Sequence, residues 1–132
     1  MTGRNWNILV VDDEPELCEL VSEEFEFAGC QTLRASSGNK ALKVFEANKI
    51  DAVVSDVRMA DGSGIELLDS IKAGAKSSAL VFLVTGFADI TKEKALAAGA
   101  AALIGKPYDI SDLCQTVLAA LEKENSAGSV KK

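Results

Sequence analysis

Short, wholly apolar runs take turns with longer amphipathic stripes along the chain. Ile8-Leu9-Val10-Val11 stops abruptly at Asp12-Asp13-Glu14, and a β-branched run that ends in polar residues reads as a strand buried on both faces. From Pro15 the spacing widens to Leu17, Cys18, Leu20, Val21, Phe25 and Ala28, a helical stripe with proline near its first turn and Gly29 at its stop. The alternation repeats. Gln31 to Ala35 predicts a second strand, and Ser37 caps a predicted helix carrying Ala41, Leu42, Val44 and Phe45. Asp51 to Ser55 predicts a third strand running into Asp56, after which Gly62 and Gly64 mark a loop. Ile65, Leu67, Leu68 and Ile71 then predict a helix ending near Gly74.

Leu80-Val81-Phe82-Leu83-Val84 is the strongest strand signal. Asp89 to Ala98 predicts a weaker helix, in which the alanines favour helix but leave Ile90 and Leu96 as the large apolar anchors. Ala101 to Ile104 predicts a fifth strand ahead of Gly105-Lys106-Pro107. Ile110, Leu113, Cys114, Val117, Leu118 and Leu121 give the cleanest amphipathic helix, with Asp109 as its cap. The Ser-, Gly- and Lys-rich stretch from Glu122 is expected to fray, which divides the chain into a folded domain over 1–124 and a flexible tail over 125–132. Five strand–helix units with right-handed crossovers build an α/β fold: a doubly wound, five-stranded parallel sheet with helices on both faces.

Composition narrows the function classes. The 132 residues suit one domain, and 48% hydrophobic with 26% charged residues excludes both a disordered chain and a disulfide-built miniprotein. A net charge of -6 repels phosphate backbones and anionic lipid, so neither direct nucleic-acid binding nor membrane binding is expected. Cys18, Cys30 and Cys114 lack any C-x-x-C spacing and read as buried thiols of a reducing compartment. The apolar runs fall short of the ~18 residues of a membrane span, and no export-type leader precedes them, so a cytoplasmic protein is expected. Few residues follow the fifth helix, too few for a further effector domain, and action through another chain is expected.

A parallel sheet of this kind binds ligands at the carboxyl ends of its strands, where this chain carries Asp12 and Asp13, Asp56, Thr85, and Lys106. Any one acid in such a place is more often a turn residue or helix cap. Three carboxylates, a hydroxyl and an ammonium on a single edge are not explained by turn chemistry. Carboxylates converging to about 5 Å repel by about 3 kcal/mol per pair at an effective dielectric near 20. A hard divalent cation relieves that repulsion, and an all-oxygen site that keeps several waters suits Mg2+ shared with a phosphoryl group. Lys106 and Thr85 would then hold phosphoryl oxygens. Asp56, at the end of the central strand, is the natural nucleophile for an acyl phosphate.

The stretches Val10-Val11-Asp12-Asp13-Glu14-Pro15, Val54-Ser55-Asp56-Val57-Arg58-Met59, Gly64, Val84-Thr85-Gly86 and Gly105-Lys106-Pro107 together resemble the receiver domain of bacterial two-component response regulators. The resemblance covers Asn7 to Leu121. It implies a flavodoxin-like (βα)5 fold with strand order 2-1-3-4-5, the order of the family's chemotaxis member. It also implies that Asp56 takes a phosphoryl group from a phosphohistidine on a sensor histidine kinase or histidine phosphotransfer protein. Mg2+ would be held by Asp13, Asp56 and the Arg58 carbonyl, with Asp12 acting through water. Lys106 and Thr85 would hold the phosphoryl oxygens, and the Lys106-Pro107 peptide would be cis. Phosphorylation would switch the surface of helix 4, strand 5 and helix 5 toward an unknown downstream protein or a phosphorylation-dependent homodimer. On this reading the chain is a switch rather than an enzyme, catalysing only its own phosphorylation and slow dephosphorylation.

Three positions depart from the family pattern. Leu103 stands three residues before the lysine, where Tyr or Phe is usual, and it either weakens the switch or is a core-facing leucine. Ala60 stands where the loop after the acceptor often has proline, which leaves that loop less restricted. Phe87, two residues past Thr85, either limits the access of hydrolytic water or contacts a partner. Two other function classes stay open: a pseudo-receiver that docks partners without phosphorylation, and a haloacid-dehalogenase-type phosphatase with Asp12 as nucleophile. Against the latter, Glu14 fills the third position of the D-x-D pattern and 132 residues leave no room for the expected cap domain.

Overall fold

The computed structural model describes residues 6–74, 78–86 and 90–130, with backbone alone for 125–130. Strands and helices alternate: β1 (Asn7–Val11), α1 (Pro15–Phe27), β2 (Gln31–Ala35), α2 (Gly38–Ala47), β3 (Ala52–Asp56), α3 (Gly64–Ala73), β4 (Leu80–Thr85), α4 (Lys92–Ala97), β5 (Ala102–Gly105) and α5 (Ile110–Val130). The strands form one parallel sheet in the order β2-β1-β3-β4-β5. This is the doubly wound, flavodoxin-like architecture that the alternating pattern and the resemblance implied.

The period of two within each strand sorts the core into two layers. Leu9, Val11, Val53, Val81 and Leu83 face Ala41 and Phe45 of α2, Leu67, Leu68 and Ile71 of α3, and Ala95 of α4. Their neighbours Ile8, Val10, Val54, Phe82 and Val84 face Cys18, Val21 and Phe25 of α1 and Leu113, Cys114, Val117 and Leu121 of α5. Both faces of the central strands are thus dry, which is why those strands read as unbroken apolar runs. Truncating Leu68, fully buried between sheet and helix, would cost about 2–5 kcal/mol. Cys18, Cys30 and Cys114 are free, buried thiols, as expected.

Helix starts are set by short polar side chains. Ser37 accepts the Lys40 N–H at 3.1 Å, and Asp109 accepts that of Asp112 at 3.0 Å. At α3, Ser63 and Glu66 form a reciprocal capping box, an arrangement that satisfies two otherwise orphaned N–H groups.

Two expectations of the fourth helix need correction. The fourth helix is shorter than the predicted Asp89 to Ala98: Thr91 caps it by accepting the Lys94 N–H at 3.1 Å, and Asp89 lies outside the described residues. Its buried residue is Ala95, while Leu96, expected as an anchor, is 43% exposed; on so short a helix the alanines give the apolar stripe no defined phase. The backbone of the last helix runs to Val130. Glu122, Lys123 and Glu124 are good helix formers, and no proline interrupts them. Among the described residues, no helix is long and apolar enough to cross a membrane.

Candidate functional site

All five strand-end residues singled out in the sequence come to the carboxyl edge of the sheet. Asp12 follows β1 and Asp56 closes β3; both are buried, whereas Asp13 stands exposed beside them. Carboxylate oxygens of Asp12, Asp13 and Asp56 lie within 4.8 Å of one another. Thr85 ends β4, half-buried, and its carbonyl accepts the Lys106 N–H at 2.9 Å, which ties the end of β4 to the residue after β5. The Lys106 ammonium reaches across to Asp56 Oδ1 at 2.9 Å. The Lys106-Pro107 peptide is cis.

Between these groups opens a cavity of about 240 Å³, lined by Asp13, Asp56, Arg58, Thr85, Gly86 and Lys106 among others. Arg58 is exposed, and its residue borders the cavity. Phe87, expected to screen hydrolytic water, lies outside the described residues. Leu103 is half-buried and packs against the core layer under α2, α3 and α4, paired in register with Leu83. Of its two readings, this is the position of a core-facing leucine.

The electrostatics follow from crowding. Burial pushes the Asp12 carboxyl up to about 6, against the Glu14 N–H that it accepts at 2.9 Å, and the nearby Asp56 charge pushes the same way. At Lys106, burial works against the charged form, but the Asp56 hydrogen bond and the Asp56, Asp12 and Glu14 charges outweigh it and raise the ammonium above its usual range. Burial, then the Asp12, Asp56 and Glu14 charges, push the Tyr108 hydroxyl up to about 12. One lysine therefore faces several carboxylates.

That imbalance is the test of whether a metal fits. The donor set is all oxygen and lies within reach of a single ion, and one member, Asp12, is held toward protonation by burial and then by the Asp56 charge. These are the conditions a hard divalent cation relieves. Asp12, Asp13 and Asp56 are the carboxylates close enough together to share such an ion.

Sequence reasoning missed two contributors. Tyr108, half-buried two residues past Lys106, borders the same field of negative charge; its place after Lys106-Pro107 was the available signal. Gly64 was noted as a loop glycine and as a position of the family resemblance, without the packing role it plays. A Cβ built there would lie 2.1 Å from the Asp56 carbonyl oxygen, so the start of α3 packs directly on the backbone of Asp56. The signal was its spacing from Asp56, but its reason is visible only in three dimensions.

Residues 8–118 match the family described as "Response regulator receiver domain". Among curated proteins, the Escherichia coli regulatory protein AtoC is 32% identical over 99% of this chain and 28% of its own length. The E. coli transcriptional regulatory protein ZraR is 35% identical over 96% of this chain and 29% of its own length. The heme response regulator HssR of Staphylococcus saprophyticus is 31% identical over 89% of this chain and 52% of its own length. The chain thus spans between about a quarter and a half of these relatives. Among solved structures, a CheY-like receiver domain protein from Methanospirillum hungatei superposes with a TM-score of 0.86 at 26% identity, covering 94% of this chain and 99% of the other. The receiver domain of Francisella response regulator 1452 gives 0.83 at 27% identity, covering 91% and 99%.

Proposed function

Because the chain belongs to the family of response regulator receiver domains, we propose that it is the phosphoacceptor of a two-component relay, with Asp56 as the residue that receives the phosphoryl group. The observation that carries this reading is the Asp56–Lys106 contact of 2.9 Å beside the Asp12, Asp13 and Asp56 cluster. It joins a buried carboxylate to an ammonium placed to stay with it once charge accumulates. These 132 residues contain no histidine and so do not supply the donor imidazole, which we assign to a sensor histidine kinase or a histidine phosphotransfer protein.

An Asp56 carboxylate oxygen attacks phosphorus in line. The P–N bond to the donor imidazole breaks as the acyl phosphate bond forms, and the imidazole keeps the bonding pair and takes up a proton. Lys106 follows the negative charge from carboxylate to phosphoryl oxygen, and the Thr85 hydroxyl donates to another. Asp13, Asp56 and the Arg58 carbonyl would hold Mg2+, with Asp12 acting through water. When bound, the ion supplies the positive charge that the acidic cluster lacks and orients the phosphoryl oxygens.

The added charge draws Thr85 inward, and this biases the face of α4, β5 and α5 toward one of two arrangements. A downstream protein or a second copy of the chain reads that face. The chain acts only on itself, by phosphorylation and slow hydrolysis. The phosphatase alternative is not favoured, because Glu14 fills the third position of its D-x-D pattern and the carboxylate in contact with Lys106 is Asp56, not Asp12.

Intact-mass spectrometry tests the reading. With Mg2+ and acetyl phosphate, or with a phosphorylated histidine kinase, the chain should gain one phosphoryl group (about 80 Da), and Asp56→Asn should gain none. A chain that stays unlabelled by every donor is a docking module instead.

A further inference from the structure

The loop that follows Asp56 is pinned at two places, and the second lies on a different helix. Val57 is the first: its N–H donates to the Val84 carbonyl at 2.8 Å, and its carbonyl accepts the Gly64 N–H at 3.0 Å. Asp61 is the second. Its carboxylate accepts the Ser37 hydroxyl at 2.8 Å and the Asn39 side-chain amide at 2.9 Å. Its carbonyl accepts the Asn39 N–H at 3.1 Å, and the next carbonyl, that of Gly62, accepts the Gly38 N–H at 2.9 Å.

The two backbones meet without a side chain between them. A Cβ on Gly38 would lie 2.5 Å from the Gly62 carbonyl oxygen. Asp61 itself sits at φ 60°, a left-handed conformation that Asp and Asn tolerate better than other side chains. Ser37 is almost wholly buried, at 4% exposure, whereas Asp61 is exposed, so their bond is sheltered from water on the Ser37 side only.

Arg58, Met59 and Ala60 are strung between the two pins. Ala60 does not restrict φ as a proline would, so the restraint on this stretch comes from contacts such as the packing of Met59 on the core and the bonds of Asp61 to α2 and its cap. Arg58 borders the acidic cavity, and anything that fixes Asp61 limits how far the Arg58 backbone can wander.

We propose that Asp61 is a positioning residue for the acidic cleft: by clamping the β3–α3 loop onto the first turn of α2, it fixes the Arg58 backbone and so the oxygen geometry offered to a divalent cation. This rests on the metal-dependent phosphorylation proposed above. Groups that hold a metal's ligands in place without touching the ion govern affinity for it. The clamp therefore acts on the Mg2+ requirement and not on the phosphoryl step once the ion is in place.

The test, in the wild type and three variants, is Mg2+ binding to the unphosphorylated chain by calorimetry, alongside phosphorylation by acetyl phosphate followed by intact mass across the same Mg2+ titration. Asp61→Gly deletes both side-chain bonds and suits the positive φ, so it loosens the clamp without backbone strain. Half-saturation should move to roughly tenfold higher Mg2+ in Asp61→Gly and roughly threefold higher in Asn39→Ala, with the rate at saturating Mg2+ within about twofold of wild type. Asp61→Asn keeps an acceptor for Ser37 and tolerates the left-handed backbone, so it should fall between wild type and Asp61→Gly. Loss of folded protein would lower labelling at every Mg2+ concentration without moving the midpoint. An unchanged midpoint in Asp61→Gly, with the wild type labelled normally, overturns the clamp alone. A wild type that cannot be labelled overturns the functional reading and the clamp with it.

Discussion

The Lys106 ammonium lies 2.9 Å from Asp56 Oδ1, with the lysine side chain 29% exposed and the aspartate 7%. The pair sits in a pocket already rich in negative charge. It also places Lys106 in competition with any cation for the same carboxylate. Lys106→Ala should therefore bind Mg2+ more tightly than wild type, yet accept a phosphoryl group at least about tenfold more slowly, because a charge-assisted partner of the transferred oxygens is lost. A Mg2+ titration followed by calorimetry, with labelling rates at saturating Mg2+, separates the two effects. Weaker Mg2+ binding in the variant would show that the lysine supports the ion instead of opposing it.

Asp12 makes the cost of the acidic cluster measurable through pH. Its carboxyl is raised from 3.8 to about 6 by burial and by Asp56. The native state thus binds a proton that the unfolded chain releases near pH 4, and stability without metal should fall as pH rises from about 4 to about 6, then level off. The loss is on the order of 2–3 kcal/mol. Asp12→Asn keeps the shape without the charge, so it should be more stable than wild type at pH 7 without metal and should lack most of this pH dependence. Urea unfolding at several pH values, with a chelator present, checks it; equal stability of the two proteins at pH 7 would count against a strained cluster.

Much of this was legible in the sequence, for a physical reason. Runs such as Ile8 to Val11 and Leu80 to Val84 are buried on both faces and end at polar residues, so both the strand and its functional edge are written in one short segment. Strand boundaries shifted by only a residue or so, as where β4 extends to Thr85 and β5 to Gly105. The fourth helix was less legible because an alanine-rich stripe does not say which residue faces inward; Ala95 does, and Leu96 does not. The Asp61 clamp was not legible at all. It joins residues 22 and 24 positions apart, and no local pattern announces that Ser37 and Asn39 will meet Asp61.

Leu103 offers a separate check on how the strand beside α4 transmits change. It is half-buried, packs on the core layer shared by α2, α3 and α4, and sits opposite Leu83. Acting as core packing, Leu103→Ala should cost about 1–2 kcal/mol of stability, below the range of a fully buried leucine because it is only partly covered. Labelling of Asp56 by acetyl phosphate should change less than about twofold. A large change in labelling with little change in thermal stability would assign Leu103 to the switch itself.

Gly64 shows how closely packing and chemistry are joined around Asp56. A Cβ at this position would lie 2.1 Å from the Asp56 carbonyl oxygen and 3.1 Å from Ser55 Oγ, and the Ser55 hydroxyl already donates to that same carbonyl at 2.9 Å. The Gly64 N–H donates to the Val57 carbonyl, so the start of α3 cannot retreat without breaking that bond. In Gly64→Ala the obstacle is backbone, not the flexible end of a side chain, and Asp56 or the helix must move. The expected cost is about 1–3 kcal/mol of stability, as for over-packing elsewhere. The larger effect should fall on phosphorylation, because a nucleophile displaced by about 1 Å loses up to about 100-fold in rate. Comparing Gly64→Ala with Leu68→Ala distinguishes displacement from general weakening. The leucine variant removes buried apolar contacts from the same helix and should lose more stability, but it should be labelled at nearly the wild-type rate at a temperature where both proteins are folded. Equal labelling of the two variants would mean that the contact between Gly64 and Asp56 holds the helix in place and does not aim the carboxylate.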